Sequence, residues 1–418
     1  MVLQVRPRCT AGEIDQRSIA SKKYTQAGRR IKDTSWFSAH LPTCPPAMRR
    51  FVTPMLGLLV ALSLLSFDLT ILRSGRTALR PTMQKGVALG IFKASEGMSY
   101  YQSSIDEIYT LGATHISIPV YYLQDSAHAV TLYCRPTDGA TPEQYDQVIR
   151  EVIEYSHRLG MKVLLTPIID IDHPKNKEWR GVISPGNWDA WFESYTVFIM
   201  HYARLAEDLD VEFMSVGTEL VSSEGFTDQW RAVIREVRGI YDGQLTYSAN
   251  WDHYEAVAFW DDLDFLGLSG YFELFSFENP TVEDIVDGWI SVKENLHHWQ
   301  ARWQKPFLFI EIGYMSQEGV ASQPWNYVSK APLNLEEQKR CYEALRRSWE
   351  NENNFAGLYL WIWEPNKQGL NDKSYNFDGK PAEDIVRDWY QNIPPNATIL
   401  DVTVITVERF FRSLRQGL

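Results

Sequence analysis

The chain has 418 residues, of which 44% are hydrophobic and 22% charged, a balance typical of a folded protein with a large core and not of a disordered or fibrous one. Its net charge of -12 and pI near 5.3 argue against nucleic acid or anionic lipid as the main partner. The four cysteines form no CxxC or Cys/His cluster, so neither a zinc site nor a disulfide framework is indicated, although a Cys134–Cys341 bridge stays open.

The first 72 residues precede the expected folded domain. Residues 1–47 are polar and basic, and we expect them to be disordered or, if translation begins at Met48, absent. The stretch 48–72 has two arginines before the apolar run 56–67, which is the pattern of an export signal. The run is short for a membrane span, and no clear A-x-A site follows, so a cleaved signal peptide and a retained membrane anchor are both open. We therefore predict an exported protein, secreted or anchored to the outer face of the cell membrane.

Apolar strands alternate with amphipathic helices over residues 85–391. The strand candidates are spaced along this whole stretch and begin at Lys85, His115, Lys162, Val211, Gln244, Asp264, Pro306 and Gly357. Helix-start signals lie between them: a capping box runs from Thr141 to Gln144, and further N-caps are expected at Thr227, Thr281 and Asn334. The interval between the fifth and sixth strands is the shortest and leaves room for only a brief helix.

Eight strand–helix units in about 300 residues predict an α/β fold, a parallel (β/α)8 TIM barrel that forms one catalytic domain. A doubly wound open sheet is the alternative, but it would more often carry a glycine-rich phosphate loop after the first strand, and this chain has none there. The tail 392–418 lies outside the eight units, and its role is open.

Two of the strand candidates end in a glutamate, Glu219 on the fourth and Glu311 on the seventh. In such a barrel the functional residues lie at the C-terminal ends of the strands. A carboxylate at the end of a buried strand is costly unless it is paired or functional. One such glutamate is readily a structural ion pair, but two at these positions face each other across the barrel mouth. Glycoside hydrolysis needs this pair, one as general acid and the other as nucleophile or base.

The same stretches resemble glycoside hydrolase clan A and, within it, the β-mannanase-like family 113. The resemblance extends from about Lys85 to Tyr390 and is carried by VGTEL at 216–220, IEIGY at 310–314, WRGVISP at 179–185, DFLGLSGYF at 264–272 and LWIW at 360–363. It implies a retaining enzyme that needs no cofactor. Glu219 would be the acid/base, protonated at the start, and Glu311 the ionised nucleophile, with the two carboxyls about 5–5.5 Å apart.

The resemblance also implies substrate contacts. Tyr271 fits the tyrosine that hydrogen-bonds the nucleophile, and Trp363 fits the tryptophan beneath the sugar, with Trp361 as the competing candidate. The loops after the third and fifth strands offer further groups for hydroxyl contacts and stacking, and there a solvated loop or a local ion pair is the alternative. These loop candidates are Asp170, Asp172, Trp179, Arg180, Asn250, Trp251 and Asp252.

Two positions depart from the pattern of the clan. Most members have an asparagine before the acid/base that contacts the sugar 2-hydroxyl, and this chain has Thr218. No arginine ends the second strand, where the candidates are Tyr121, Tyr122, Gln124 and Asp125. These departures bear on the identity of the sugar and leave the reaction class unchanged.

We predict a monomeric, retaining β-glycosidase whose partner is a β-linked oligo- or polysaccharide, with β-1,4-mannan as the first candidate. Nucleic acid is not expected as a partner, and the membrane would be contacted only through the N-terminal hydrophobic segment. The alternatives are an exo-acting or transglycosylating β-glycosidase on another hemicellulose, and a non-catalytic carbohydrate-binding barrel. The presence of both carboxylates argues against the last of these.

Overall fold

The computed structural model describes residues 83–176, 178–365 and 369–392. The strands in these ranges are β1 (Gln84–Leu89), β2 (His115–Gln124), β3 (Leu132–Tyr133), β4 (Lys162–Ile171), β5 (Phe213–Thr218), β6 (Gln244–Asn250), β7 (Leu266–Ser269), β8 (Phe307–Ile312) and β9 (Phe355–Trp363). The α-helices are α1 (Gln102–Leu111), α2 (Pro142–Arg158), α3 (Trp188–Asp208), α4 (Thr227–Arg238), α5 (Val282–Trp303), α6 (Leu335–Trp349) and α7 (Pro381–Tyr390).

Eight of the nine strands close into a parallel barrel. Their order is β1-β9-β8-β7-β6-β5-β4-β2, and β1 also pairs with β2, so no edge of the sheet is left open. The remaining strand, β3, is antiparallel to the end of β2. The predicted TIM barrel is therefore confirmed, and the doubly wound open sheet is excluded. The predicted fourth and seventh strands are β5 and β8.

The helix starts follow the sequence signals with one exception. Thr141 forms the capping box with Gln144, Thr281 caps α5, and the Asn334 side chain accepts the N–H of Glu337 at the start of α6. The prediction for Thr227 is wrong, because Thr227 is the first residue of α4 and Phe226 precedes it without a side-chain cap. A β-region residue with an accepting oxygen is what capping needs, and Thr227 already lies inside the helix.

The connection between β6 and β7 contains only the short 3-10 helix Trp260–Asp262, in agreement with the brief helix expected there. Lys305, from the turn before β8, donates its ammonium protons to the carbonyls of Trp260, Asp261 and Leu263. These hydrogen bonds stabilise the connection where an α-helix would otherwise lie. The barrel keeps its closure at this point although one layer of helix is absent.

The core has two layers. Leu164, Phe213, Leu308, Ile310 and Tyr359, from four different strands, pack together as a cluster separate from the main core, as expected for side chains that fill a barrel interior. The larger layer lies between the strands and the helices. It contains seven fully buried tryptophans: Trp191, Trp230, Trp260, Trp289, Trp299, Trp349 and Trp363. Much of the high tryptophan content therefore serves core packing.

Several sequence predictions concern residues outside the barrel or outside the described ranges. Cys134 and Cys341 are free thiols, so the bridge between them is excluded. No helix within the described ranges is long and apolar enough to cross a membrane. The stretches 1–82 and 393–418, which include the predicted export segment and nearly all of the tail, lie outside the residues that the structure describes.

Candidate active site

The ends of β5 and β8 bring two buried glutamates to the barrel mouth. Glu219 directly follows β5 with φ of 53°, a left-handed conformation that is uncommon for a residue with a side chain, and its N–H donates to the Ser248 carbonyl on β6 at 2.8 Å. The Glu311 carbonyl accepts the N–H of Gly270 at 2.6 Å. The two glutamates are only 7% and 6% exposed. Neighbouring strands thus fix the backbone of both residues.

Arg180 connects the acid/base candidate to the loop after β4. Its Nη1 donates to Glu219 Oε2 at 2.9 Å and its Nη2 to Asp170 Oδ1 at 2.6 Å, while Nε donates to the Ile169 carbonyl at 2.9 Å. Burial disfavours the charge, but the carboxylates of Asp170 and Glu219 outweigh it and raise the pKa of Arg180. A permanently charged guanidinium therefore lies beside Glu219, at a mouth whose second strand carries no arginine.

Glu311 is buried and has few hydrogen-bond partners. The Tyr271 hydroxyl donates to Glu311 Oε2 at 3.4 Å, and Oε1 has no hydrogen-bond partner among the described residues. Burial, and then the charge of Glu219, raise the pKa of Glu311 to about 8, against the opposing effects of Arg180 and Tyr271. Burial without substrate therefore favours the protonated form of Glu311. Its ionisation as a nucleophile stays a prediction for the substrate-bound enzyme.

Tyrosines surround the pair. Burial raises the pKa of Tyr271, so its hydroxyl stays protonated, and its ring lies 5.9 Å from that of Tyr375. Tyr375, which the sequence analysis did not single out, donates its hydroxyl to the Pro324 carbonyl. Burial, and then the charges of Asp170 and Glu311, raise the pKa of Tyr121, so this tyrosine lies near enough to feel both carboxylates.

The other candidates from the second strand have structural roles. The Tyr122 ring packs against Phe198, with the centroids 4.4 Å apart. The buried Gln124 carboxamide accepts from Trp191 Nε1 at 2.8 Å, and the exposed Asp125 pairs with His173 at 3.2 Å. Only Tyr121 of this group is brought to the glutamate pair.

The two tryptophans of β9 differ in accessibility. Trp363 is 1% exposed and packs edge-on against Phe377, so its indole faces are covered. Trp361 is half-buried. The assignment of Trp363 as the tryptophan beneath the sugar is therefore corrected, because a buried ring cannot stack on a substrate, and Trp361 is the one that remains.

The remaining loop candidates are mostly tied to the protein itself. Thr218 is buried, and its hydroxyl donates to the Pro167 carbonyl at 3.1 Å, which links β5 to β4. Asn250 donates to Asp252 at 2.8 Å. Asp172 accepts from the Tyr133 hydroxyl at 2.6 Å and pairs with Arg135, so the local ion pair is its role.

Two aromatic loop candidates keep partly open faces. Trp179 is half-buried and covers Gly181, where a Cβ atom would lie 2.4 Å from the indole ring, so this position requires glycine. Trp251 is half-buried, with its ring centroid 6.0 Å from that of Phe272. Trp179 lies on the loop after β4 and Trp251 on the loop after β6, as predicted from the sequence.

A third buried carboxyl lies close to the pair and was missed from the sequence. Glu224 ends the 3-10 helix after β5, and its Oε1 accepts from the Tyr247 hydroxyl at 2.9 Å. The same hydroxyl accepts the Leu220 N–H at 3.0 Å, next to Glu219. Burial raises the pKa of Glu224 to about 7. No motif marks Glu224, because it lies beyond the strand end in an unremarkable VSSE stretch.

A closed (β/α)8 barrel with two buried glutamates at the ends of its fourth and seventh strands defines a glycoside hydrolase acting on O-glycosyl bonds. The profile of Glycoside Hydrolase Family 113 matches residues 92–380, and the chain belongs to this family. The family resemblance noted in the sequence is thereby confirmed. No curated protein matches the chain significantly.

Three solved structures are similar over most of the barrel. Two GH113 β-1,4-mannanases share 27% and 28% sequence identity with the chain, cover 74% and 75% of it and 99% of their own chains, and superpose with TM-scores of 0.66. The GH113 β-mannanase AaManA from Alicyclobacillus acidocaldarius, in complex with ManMIm, shares 28% identity over 75% of this chain and 98% of its own, with a TM-score of 0.66.

Proposed function

We propose that the protein is a retaining endo-β-mannanase that cleaves β-1,4-mannan by double displacement. The observation that carries the proposal is the pair Glu219 and Glu311, each held by the backbone of its neighbouring strand, with Tyr271 bonded to the second and Arg180 to the first. The similarity to three β-1,4- and β-mannanases supports the choice of mannan.

The proposed reaction has two displacements at the anomeric carbon. In the first, Glu311 attacks that carbon while Glu219 gives its proton to the leaving glycosidic oxygen, so that one C–O bond forms and one breaks. In the second, Glu219 takes a proton from water, and the resulting hydroxide displaces Glu311. The configuration is retained because each displacement inverts it once.

The protonation of the pair sets the starting state. The reaction needs one proton shared between the two carboxyls, located on Glu219 at the moment of attack. In the substrate-free protein, burial raises the pKa of Glu311 to about 8 and favours its protonated form. With substrate bound, a glycosidic oxygen that accepts from Glu219 and positive charge that develops beside Glu311 favour an ionised Glu311 and a proton on Glu219.

The groups around the pair have distinct proposed roles. Tyr271 donates to the nucleophile and orients it, and Arg180 holds Glu219 in place. Trp361 offers a ring face to the sugar. Tyr121 and Asp170 supply hydroxyl contacts near the pair, in place of the asparagine that the clan pattern has at Thr218. Mannan selectivity then depends on Asp170 and Tyr121 more than on Thr218.

The test is reducing-sugar release by the full chain from β-mannan, xylan, β-glucan and cellulose, with Glu219→Gln and Glu311→Gln beside the wild type. Activity on mannan that both substitutions abolish is expected. NMR of the first-formed anomer should show retention, and products of mixed length from mannohexaose should show endo action. Activity confined to another glycan would overturn the assignment of mannan as the substrate. A folded protein inactive on every glycan would favour the carbohydrate-binding barrel.

We also propose that the protein is exported. Support comes only from the arginines and apolar run in residues 48–72. Cell fractionation with N-terminal sequencing of the mature protein is the test, and recovery of the full chain in the cytoplasm would overturn it.

A further inference from the structure

A cavity of about 600 Å³ lies beside the active site, between the loop after β7 and the loop after β8. None of the residues at the glutamate pair lines it. Small-molecule sites have volumes of about 300–1,000 Å³, so the cavity is large enough for a ligand. Both loops follow the carboxyl ends of barrel strands, on the face where barrel enzymes bind their substrates.

The lining is polar and uncharged or acidic. It contains five carboxamides and three serine hydroxyls, and the described lining residues include no lysine or arginine. The carboxamides are those of Asn279, Gln317, Gln323, Asn326 and Asn334. A phosphate or carboxylate ligand therefore has no cationic partner there. No group of three or more His, Cys, Asp or Glu residues that could hold a metal occurs in the described ranges. Carboxamides both donate and accept, which suits a neutral polyhydroxyl ligand.

Gln317, a lining residue of the cavity, has an unsatisfied buried acceptor. This residue is 5% exposed, and its Nε2 donates to the Lys373 carbonyl at 3.0 Å, which fixes the orientation of the amide. Its Oε1 is buried and has no hydrogen-bond partner among the described residues. A bridge between Gln317 and Leu333 closes the base of the loop and holds the side chain in place. A buried acceptor without a donor is costly, so this loop contains a polar group that the described residues leave unsatisfied.

Exposed aromatic rings are concentrated at the same face. Among the large exposed apolar side chains of the described residues, the four aromatic ones all follow the ends of barrel strands: Phe92, Phe277, Trp325 and Tyr327. Phe277, on the lip of the cavity, is 75% exposed. The indole N–H of Trp325 donates to Glu273 Oε1 at 3.0 Å, which fixes its ring. Exposed rings held in place beside a polar cavity are typical of ligand-binding surfaces.

A chain of contacts links the active site to a loop that lines the cavity. Tyr271 contacts Glu311, its ring lies against Tyr375, and the Tyr375 hydroxyl donates to the Pro324 carbonyl. Pro324 lies between two lining residues, Gln323 and Asn326, of which the first precedes it directly. The cavity therefore lies within a short chain of contacts of the nucleophile, on the side of Tyr375.

We propose that the loops after β7 and β8 form a second glycan-binding site, which takes a neutral β-linked segment of the same polysaccharide that is cleaved at Glu219 and Glu311. This inference rests on the proposed function for the identity of the chain. Phe277 stacks on a sugar ring, and the carboxamide of Asn326 binds its hydroxyl groups.

The kinetic test uses the full chain with Phe277→Ala or Asn326→Ala, and Ile290→Ala, an exposed apolar residue of α5, as the matched control. The ratio of KM for mannohexaose to KM for mannotriose should rise roughly 3- to 10-fold in the cavity variants, the loss expected for one stacking or polar contact, and stay unchanged in the control. An unchanged ratio in both cavity variants of an active enzyme would overturn the second site.

A binding test separates this inference from the proposed function. Calorimetry with mannohexaose uses Glu311→Gln, with and without Phe277→Ala. If the wild type is inactive on every glycan but binding weakens with Phe277→Ala, the second site stands and the proposed catalysis fails. If neither activity nor Phe277-dependent binding is found, both are wrong.

Discussion

Arg180 Nη1 lies 2.9 Å from Glu219 Oε2, while the same guanidinium holds Asp170 at 2.6 Å. The arginine comes from the 3-10 helix after β4 and reaches across to the end of β5. A charge-assisted bond of this length fixes the carboxyl more firmly than a neutral one would. Since Glu219 also has a left-handed backbone, both its main chain and its side chain are constrained.

Arg180→Lys should lower kcat/KM on mannan by roughly 10- to 100-fold, because lysine cannot bond Glu219, Asp170 and the Ile169 carbonyl together. The effect is expected in kcat more than in KM. Steady-state kinetics measure it, with Arg231→Lys, which pairs with Asp261 and Asp262 away from the mouth, as the control. Equal losses in the two variants would show that Arg180 has no special role.

Glu311 should make the protein less stable as the pH rises. Its pKa is raised from 4.5 to about 8 in the folded protein, so the folded state binds more protons than the unfolded state between these values, and stability falls across this window. Glu311→Gln removes this dependence and should stabilise the protein at pH 8 by about 2–4 kcal/mol, with no gain at pH 4.

Thermal unfolding at pH 4, 6 and 8 measures the Glu311 effect. Glu255→Gln, at an exposed glutamate, is the control and should show no such trend. A stability difference between wild type and Glu311→Gln that is the same at all three pH values would contradict the raised pKa.

Tyr271→Phe should slow the reaction by about 10- to 100-fold and shift its pH profile, because Tyr271 donates to the nucleophile. The Tyr271 hydrogen bond lowers the pKa of Glu311, so its removal raises that pKa further. The limb of the kcat/KM profile that reports ionisation of Glu311 should therefore move to higher pH. Tyr155→Phe, which loses a surface bond to Asp106, is the control. A slower enzyme with an unmoved limb would show that Tyr271 acts on the fold alone.

The sequence predicted the barrel and the positions of the glutamate pair because strand periodicity and strand-end carboxylates are local signals. Partners across strands are not local. For Arg180 both a substrate contact and a local ion pair were open, and the structure shows the ion pair with Glu219. The sequence could not name this partner, because the loop after β4 reaches the end of β5 only in the closed barrel. Tyr375 and Glu224 were missed for the same reason.

The two tryptophans of β9 show a second limit of the sequence. Alternation along a strand assigns Trp361 and Trp363 to one face, yet one is half-buried and the other fully packed. The peptide bond between Trp361 and Ile362 is cis, and the sequence carries no sign of it. Trp363 packs against Phe377, a residue outside the strand that strand alternation cannot predict.

Trp361→Ala and Trp363→Ala should separate binding from stability. Trp361→Ala is expected to raise KM on mannan about 10-fold with little change in Tm, because a half-buried ring contributes less to packing. Trp363→Ala should cost about 3–5 kcal/mol of stability, since it empties a packed site. KM and thermal unfolding are measured on both. Reversed effects would restore Trp363 as the sugar contact.

The Tyr247 hydroxyl links the backbone beside Glu219 to the Glu224 side chain. Its hydroxyl accepts the N–H of Leu220, the residue after Glu219, and donates to Glu224 Oε1. Tyr247→Phe leaves two buried groups without this partner, which should cost about 1–3 kcal/mol of stability and lower kcat through the displaced Glu219 backbone.

Glu224→Gln should cost less stability than Tyr247→Phe, because a glutamine oxygen still accepts from the Tyr247 hydroxyl. Burial raises the pKa of Glu224 from 4.5 to about 7, with smaller effects from the charges of His253, Asp252 and Glu219. The folded state therefore binds more protons than the unfolded state between these pH values, and the wild type loses stability as the pH rises through them. Glu224→Gln should therefore gain stability relative to wild type at pH 8 but not at pH 4, and keep kcat within about threefold at pH 5. For Tyr247→Phe, a wild-type kcat would show that the Tyr247 hydrogen bonds are not needed to position Glu219. The Ser248 carbonyl and Arg180 would then be sufficient.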